Sequence, residues 1–222
     1  MRNKALDYDY IFFDFDGTLS DSATGIFECI ERALTDMGSD VPDRSGLIRY
    51  IGPPLEDTFE NAFGFKGDDL TEVLRIFRAY YREIGVKKND MFPGVPQMLK
   101  RLQDAGKRLT IATSKRESFA QQICASYGIT DYFETIAGSV GDESRSTKEG
   151  VIEYIISHLG ITDRSRILMV GDRKYDVDGA KKAGIDCMGV LYGYGSREEL
   201  LEAGAIYIAQ TTTDVANQIL GE

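Results

Sequence analysis

The feature that most constrains the fold is an alternation along the chain between short apolar runs and amphipathic helical stripes. The first run, YDYIFFDF at 8–15, is continuous rather than alternating, which is the pattern of a strand covered on both faces. Further strand candidates lie at 108–113 (RLTIAT), 135–137, 166–170 (RILMV), 187–191 (CMGVL) and 205–208. Helical stripes sit between them. Val95, Met98, Leu99 and Leu102 form one that stops at Gly106. Phe119, Ile123 and Tyr127 form a second that stops at Gly128, and Val151, Ile152, Ile155 and Leu159 a third that stops at Gly160. Ser196 followed by Glu199 predicts a capping box opening one more helix. This order predicts an α/β fold, a Rossmann-like parallel sheet flanked by helices with right-handed crossovers.

Residues 20–90 break the rhythm. Ile26, Ile30, Ala33, Leu34 and Met37 keep helical spacing up to Gly38, and Leu55, Phe59 and Phe63 do so after the turn at Pro53 and Pro54. Asp68 or Asp69 is expected to cap a long helix carrying Leu70, Val73, Leu74, Phe77, Tyr81 and Ile84, ending at Gly85. The stretch reads as an inserted α-helical cap domain, leaving 1–19 and 91–222 as the α/β core. An apolar share of 42% over 222 residues is enough to bury a sizeable core, which excludes wholesale disorder.

Charge narrows the partners. Lys and Arg number 26 against 36 Asp and Glu, so the net charge of −10 repels polyanions and argues against duplex nucleic acid or an anionic membrane. Cys29, Cys124 and Cys187 form no CxxC pair and read as buried small hydrophobes. Arg2 and Lys4 begin no signal peptide, because Asp7, Asp9 and Asp14 interrupt any apolar segment. No run approaches 18 apolar residues, so a cytoplasmic location is expected.

The chemistry starts where the first strand ends, at Asp14-Phe15-Asp16-Gly17-Thr18-Leu19. Alternate side chains of a strand share a face, so Asp14 and Asp16 are expected together at the carboxyl edge, where open α/β sheets bind ligands. Two close carboxylates call for a hard cation such as Mg²⁺. Gly17 supplies the turn. At average residue usage, D-x-D-G-T-L arises by chance on the order of a few times per ten thousand chains of this length.

Three later segments follow in order: a threonine, Thr113, ending the strand LTIAT; a lysine, Lys148, opening a helix; and Gly171-Asp172-Arg173-Lys174-Tyr175-Asp176 after RILMV. G-D-x-x-x-D alone turns up in roughly one such chain in twenty. A lysine in a helix's first turn opposes the macrodipole and needs a compensating partner. With the first motif, these segments resemble the haloacid dehalogenase superfamily of phosphotransferases over nearly the whole chain. IGPPLEDTF at 51–59, FRAYY at 77–81 and GYGS at 193–196 resemble its phosphoglycolate phosphatase and 5′-nucleotidase-like members, and the helical insertion resembles its C1-type cap.

The resemblance implies a phosphomonoester hydrolase acting on a small phosphorylated metabolite, a nucleoside 5′-monophosphate or a phosphoglycolate-like ester, as monomer or homodimer. It makes Asp14 the nucleophile and Asp16 the general acid and base. Thr113 and Lys148 would hold the phosphoryl oxygens, with Gly17, Thr18, Ser114 and Arg78 as further substrate contacts. Mg²⁺ would be held by Asp14, Asp16 (through its backbone carbonyl) and Asp172, with Asp176 binding it through water or orienting Lys148. Arg49 or Arg78 would reach the leaving group, and Lys115 lies near the cap boundary. Asp142 or Glu143, on the loop before Lys148, could touch the metal site. His158, on a helix's last turn, reads as structural. A sugar phosphomutase shares all four motifs, and a non-catalytic metabolite sensor is the rival from another class.

Overall fold

The structure is a computed structural model that describes residues 6–141 and 145–222. Arg2, Lys4, Asp142 and Glu143 lie outside the described residues. In chain order the elements are β1 (Tyr10–Phe13), β2 (Ser20–Asp21), α1 (Ala23–Asp36), α2 (Arg44–Leu47), α3 (Leu55–Phe63), α4 (Gly67–Glu83) and β3 (Asp90–Met91). There follow α5 (Val95–Asp104), β4 (Arg108–Arg116), α6 (Glu117–Ser126), β5 (Phe133–Ser139), α7 (Lys148–His158) and β6 (Ile167–Gly171). The chain closes with α8 (Lys174–Lys182), β7 (Asp186–Val190), α9 (Arg197–Ala203), β8 (Tyr207–Ala209) and α10 (Thr212–Leu220).

Six strands form one parallel sheet in the order β5-β4-β1-β6-β7-β8. The chain leaves β1 toward β4 and β5 on one side and later fills β6, β7 and β8 on the other. β1 therefore stands at the topological switch point, where ligands bind beyond the carboxyl ends of the strands. Register matters here: Phe13 lies opposite Ile111 of β4 and Val170 of β6, so the three strands end together. β1 is buried from both faces. Ile11 and Phe13 join one apolar cluster and Phe12 the other, which is why the run showed no polar alternation.

The helical segment packs around α1, α3 and α4. Phe59 contacts Phe63, Phe65 and Phe77 with ring centroids 5.7, 6.1 and 5.9 Å apart. Tyr81 stacks on Phe77 and meets Phe119 of α6 at 5.1 Å, tying this cluster to the sheet layer. Its two connections run side by side, because β2 pairs antiparallel with β3. Gly179 of α8 permits another close approach: a Cβ there would stand 2.6 Å from Lys148 Cγ, so α7 and α8 meet at the residue that feeds Lys148 into the site.

Several local expectations change in the folded chain. α4 starts at Gly67 with Lys66 at its N-cap, so Asp68 and Asp69 lie inside the first turn, where they favour the macrodipole rather than cap it. The last strand begins at Tyr207 rather than 205, because the backbone N–H of Ala205 is taken by Leu200 O in the C-terminal turn of α9. At Ser196 half of the capping box forms: its hydroxyl accepts from Glu199 N at 3.1 Å. The Glu199 carboxylate turns instead to Arg173 Nε and Lys174 N, at 2.8 and 2.9 Å. All three cysteines are buried and free. Among the described residues, no helix is long and apolar enough to cross a membrane.

Candidate active site

Asp14 is the first residue past β1, its N–H donating to Val170 O at 2.9 Å. Its carboxylate lies 2.7 Å from Lys148 Nζ. Lys148 opens α7, and its ammonium also reaches Asp176 at 2.8 Å and donates to Ala112 O at 2.9 Å. The helix's unfavourable dipole at that lysine is thus offset by two carboxylates. Thr147 caps the same helix by accepting from Gly150 N at 3.1 Å. Asp172, just past β6, accepts from Tyr194 N at 2.7 Å. Asp176, in the first turn of α8, accepts from Arg173 N at 3.1 Å, where the macrodipole favours an anion.

Asp14, Asp172 and Asp176 are all buried, and each offers an oxygen within 4.8 Å of the other two. Three carboxylates against the one ammonium of Lys148 leave two negative charges in excess. Burial first, then the Asp176 charge, pushes the Asp14 carboxyl up to about 6, and burial with Asp176 and Asp14 raises Asp172 well above the usual range. An all-oxygen donor set with that excess fits a hard divalent cation. A pH dependence follows. Between about pH 4 and 6 the metal-free folded protein holds a proton on Asp14 that the unfolded chain releases, so stability falls as pH rises through that window. Thermal unfolding scans should show that fall, and a divalent cation at a hundred times its Kd should add ~2.7 kcal/mol and flatten it.

Gly17 has φ +83°, and a Cβ there would stand 2.2 Å from an Asp172 carboxylate oxygen. Gly17→Ala is therefore expected to displace Asp172 and weaken stabilisation by a divalent cation by about tenfold or more, read from the cation midpoint of the thermal shift. Its N–H is spent on Ser20 O at 2.8 Å, and Thr18 is fully buried, its hydroxyl 3.4 Å from Asp172. Gly17 and Thr18, expected as substrate contacts, lie against Asp172 and are not among the residues that line the cavity described below.

The Asp16 carboxylate stands apart from the three-aspartate cluster. Lys115 Nζ holds it through both oxygens, at 2.8 and 2.9 Å, so any contribution of Asp16 to a metal falls to its backbone carbonyl. Burial disfavours the Lys115 charge, but Asp16 and the Tyr81 phenol outweigh it and raise its pKa. Lys115 also lies 4.5 Å from the Tyr81 ring centroid. Thr113 is buried at the end of this path, its hydroxyl accepting from Lys115 N at 3.2 Å.

These groups open into a half-enclosed cavity of about 100 Å³. Asp14, Asp16, Thr113 and Ser114 line it from the sheet, and Tyr50, Gly52 and Arg78 from the helical segment. Arg78 pairs there with Glu56. Arg49 lies outside, in a separate cleft, with its Nε on Gly46 O at 3.1 Å, so of the two arginines only Arg78 faces the cavity. His158 stacks on Tyr154 at 5.5 Å, remote from the cavity lining. Two arginines were not anticipated. Arg116 lines the cavity, and Arg173, buried, bridges Glu199 and the Ile51 carbonyl. No spacing signal marks either, because the Arg173 partners Glu199 and Ile51, and the Arg78 and Glu56 charges near Arg116, are distant in sequence.

A parallel sheet whose switch point carries buried carboxylates and a lysine places a charged site where open α/β sheets bind ligands. The chain belongs to the haloacid dehalogenase-like hydrolase family, whose model matches residues 11–190, and it is a phosphatase of that family. It is 38% identical over 200 residues to a 5′-nucleotidase of Pseudomonas aeruginosa, covering 90% of both chains. It is 37% identical to tyrosine-protein kinase PtkA of Mycobacterium tuberculosis, covering 95% of this chain and 72% of that one. A phosphoglycolate phosphatase of Colwellia psychrerythraea is 28% identical over 98% of this chain and 97% of its own. Among solved structures, a predicted phosphatase from Clostridium acetobutylicum superposes with TM-score 0.92 at 39% identity, covering 96% of this chain and 98% of that one.

Proposed function

We propose that the protein is a Mg²⁺-dependent phosphomonoester hydrolase that works through an aspartyl phosphate on Asp14, with residues 20–90 acting as a cap over the core. The observation that carries this reading is the Asp14 carboxylate itself. It lines the cavity, lies 2.7 Å from the Lys148 ammonium, and belongs to an all-carboxylate cluster short of positive charge. Asp14, Asp172 and Asp176 would hold Mg²⁺, which when bound offsets charge on the phosphoryl oxygens.

The chain's own groups supply the rest. An Asp14 oxygen attacks phosphorus as the bond to the leaving oxygen breaks, and protonated Asp16 gives that oxygen its proton. Asp16, now a carboxylate, takes a proton from water, whose oxygen attacks phosphorus and frees Asp14 and inorganic phosphate. Lys115 Nζ positions the Asp16 carboxyl group beside the cavity through both of its oxygens. Thr113, Ser114 and Lys148 steady the phosphoryl oxygens. The names of the relatives support a nucleoside 5′-monophosphate or a phosphoglycolate-like ester as substrate. The free, buried cysteines suit a reducing cytoplasm.

The relative named a tyrosine kinase supports a second reading, in which the phosphoryl group passes from Asp14 to a tyrosine hydroxyl instead of to water. The test is a panel of small phosphate esters with Mg²⁺, scored for free phosphate and, with a tyrosine peptide added, for phosphotyrosine. Free phosphate as the main product supports hydrolysis. Phosphotyrosine or an isomerised sugar phosphate as the main product would overturn it.

A further inference from the structure

We propose that Tyr194 is a positioning residue that ties the Asp172 carboxylate to the start of the helical segment, so that a divalent cation at the aspartate cluster and the seating of α1 stabilise each other. The inference rests on the readings that Asp14, Asp172 and Asp176 hold such a cation and that residues 20–90 act as a cap.

The segment GYGS at 193–196 lies directly against the acidic turns. A Cβ at Gly193 would stand under 3.0 Å from Gly17 O and Asp172 Cβ, and one at Gly195 equally close to Asp172 O. Only glycine lets the backbone approach this near. Between the two, Tyr194 N–H donates to the Asp172 carboxylate at 2.7 Å, a charge-assisted bond. The side chain of the same residue reaches the first linker. Its phenol donates to Asp21 Oδ1 at 2.8 Å and accepts from Ser22 N and Ala23 N at 2.8 and 3.1 Å.

Those two N–H groups open α1. A helix starts with N–H groups that have no intrahelical acceptor, and an N-cap side chain usually supplies one. Ser22 stands at the N-cap of α1 but makes no side-chain cap, and among the described residues its buried hydroxyl has no hydrogen-bond partner. Tyr194, 172 residues further along the chain, supplies the acceptor instead. α1 buries Ile26, Ile30 and Leu34 and packs on α4, so its start sets where that part of the helical segment stands. A second link runs beside the first. Ser196 accepts from Glu199 N, Glu199 holds Arg173, and Arg173 donates to Ile51 O at the cavity wall.

A cation is held only while the three carboxylates converge, and Tyr194 N–H is one of the groups that fixes Asp172. Anchoring the ring at the linker steadies that N–H. By linkage the effect runs both ways: whatever fixes Asp172 also steadies the linker.

The test uses Mg²⁺ as the probe and needs no turnover. Tyr194→Phe keeps the backbone N–H and all three aspartates, yet should raise the Mg²⁺ midpoint of the thermal shift by about fivefold or more. Asp21→Ala, at an exposed position outside the cluster, should raise it in the same direction. The double variant should go no further than Tyr194→Phe alone. Hydrogen exchange across 21–26 should slow with Mg²⁺ in the parent and lose that response in Tyr194→Phe. A phenol with a merely structural role would lower the melting temperature and leave the Mg²⁺ midpoint unmoved, which overturns the inference. Exchange across 21–26 that ignores Mg²⁺ in a parent stabilised by it does the same. If Tyr194→Phe does not fold, Asp21→Ala carries both comparisons. If Mg²⁺ fails to stabilise the parent, the cation reading fails, and metal-free Asp172→Ala decides the tie by itself. Faster exchange across 21–26 in that variant supports the tie, and unchanged exchange overturns it.

Discussion

Asp14→Asn should abolish phosphate release, by on the order of 10⁴-fold or more, while making the metal-free protein harder to unfold. The two effects have one cause. The carboxylate proposed to attack phosphorus is also the one that burial and Asp176 penalise, so its pKa lies above that of an unfolded aspartate. At pH 7 the folded protein therefore spends stability to keep Asp14 charged. An amide of the same shape removes that cost and one of the two excess negative charges, for a gain of roughly 1–3 kcal/mol at about 1.4 kcal/mol per pKa unit. It removes the nucleophile as well. Phosphate release and thermal unfolding without metal, measured side by side, check this. A variant that loses activity and also loses stability would mean that Asp14 is a structural partner of Lys148. A variant that keeps activity would mean that the phosphoryl group never rests on Asp14.

The same electrostatics explains what the sequence could and could not show. β1 and its acidic end were legible because both depend on local pattern: a run covered on both faces, then a turn that only glycine makes easily. Lys148 was legible for the opposite reason. A lysine at a helix start is locally unfavourable, and the folded chain supplies the compensation in Asp14 and Asp176. What stayed hidden was decided by partners far along the chain. Thr18 carries a motif hydroxyl, yet Asp172, brought in by β6, turns it into buried support. Glu199 sits at the right offset for a capping box, but Arg173 and Lys174 compete for it and win. Arg116 looks like any strand-end arginine until α4 places Arg78 across the cavity.

Lys148→Met should show the largest combined loss, because it keeps the volume and deletes the ammonium that pairs with both Asp14 and Asp176. With Nζ gone, Asp14 and Asp176 lose their ion-pair partner beside Asp172, and Ala112 O loses the Lys148 donor. Breaking a buried pair in this way costs about 3–5 kcal/mol, so a marked drop in the metal-free melting temperature is expected. Part of that loss is electrostatic and should return with Mg²⁺, making the variant's metal-induced stabilisation larger than the parent's. Activity should not return with it if, as proposed, the ammonium also neutralises phosphoryl charge, a role worth on the order of 10²-fold or more. Melting temperature and phosphate release across a Mg²⁺ titration separate the two roles. If Mg²⁺ restored both, Lys148 would be no more than a counter-ion for the aspartates. If it restored neither, the three carboxylates would not be a cation site, and the excess charge in the cluster would need another explanation.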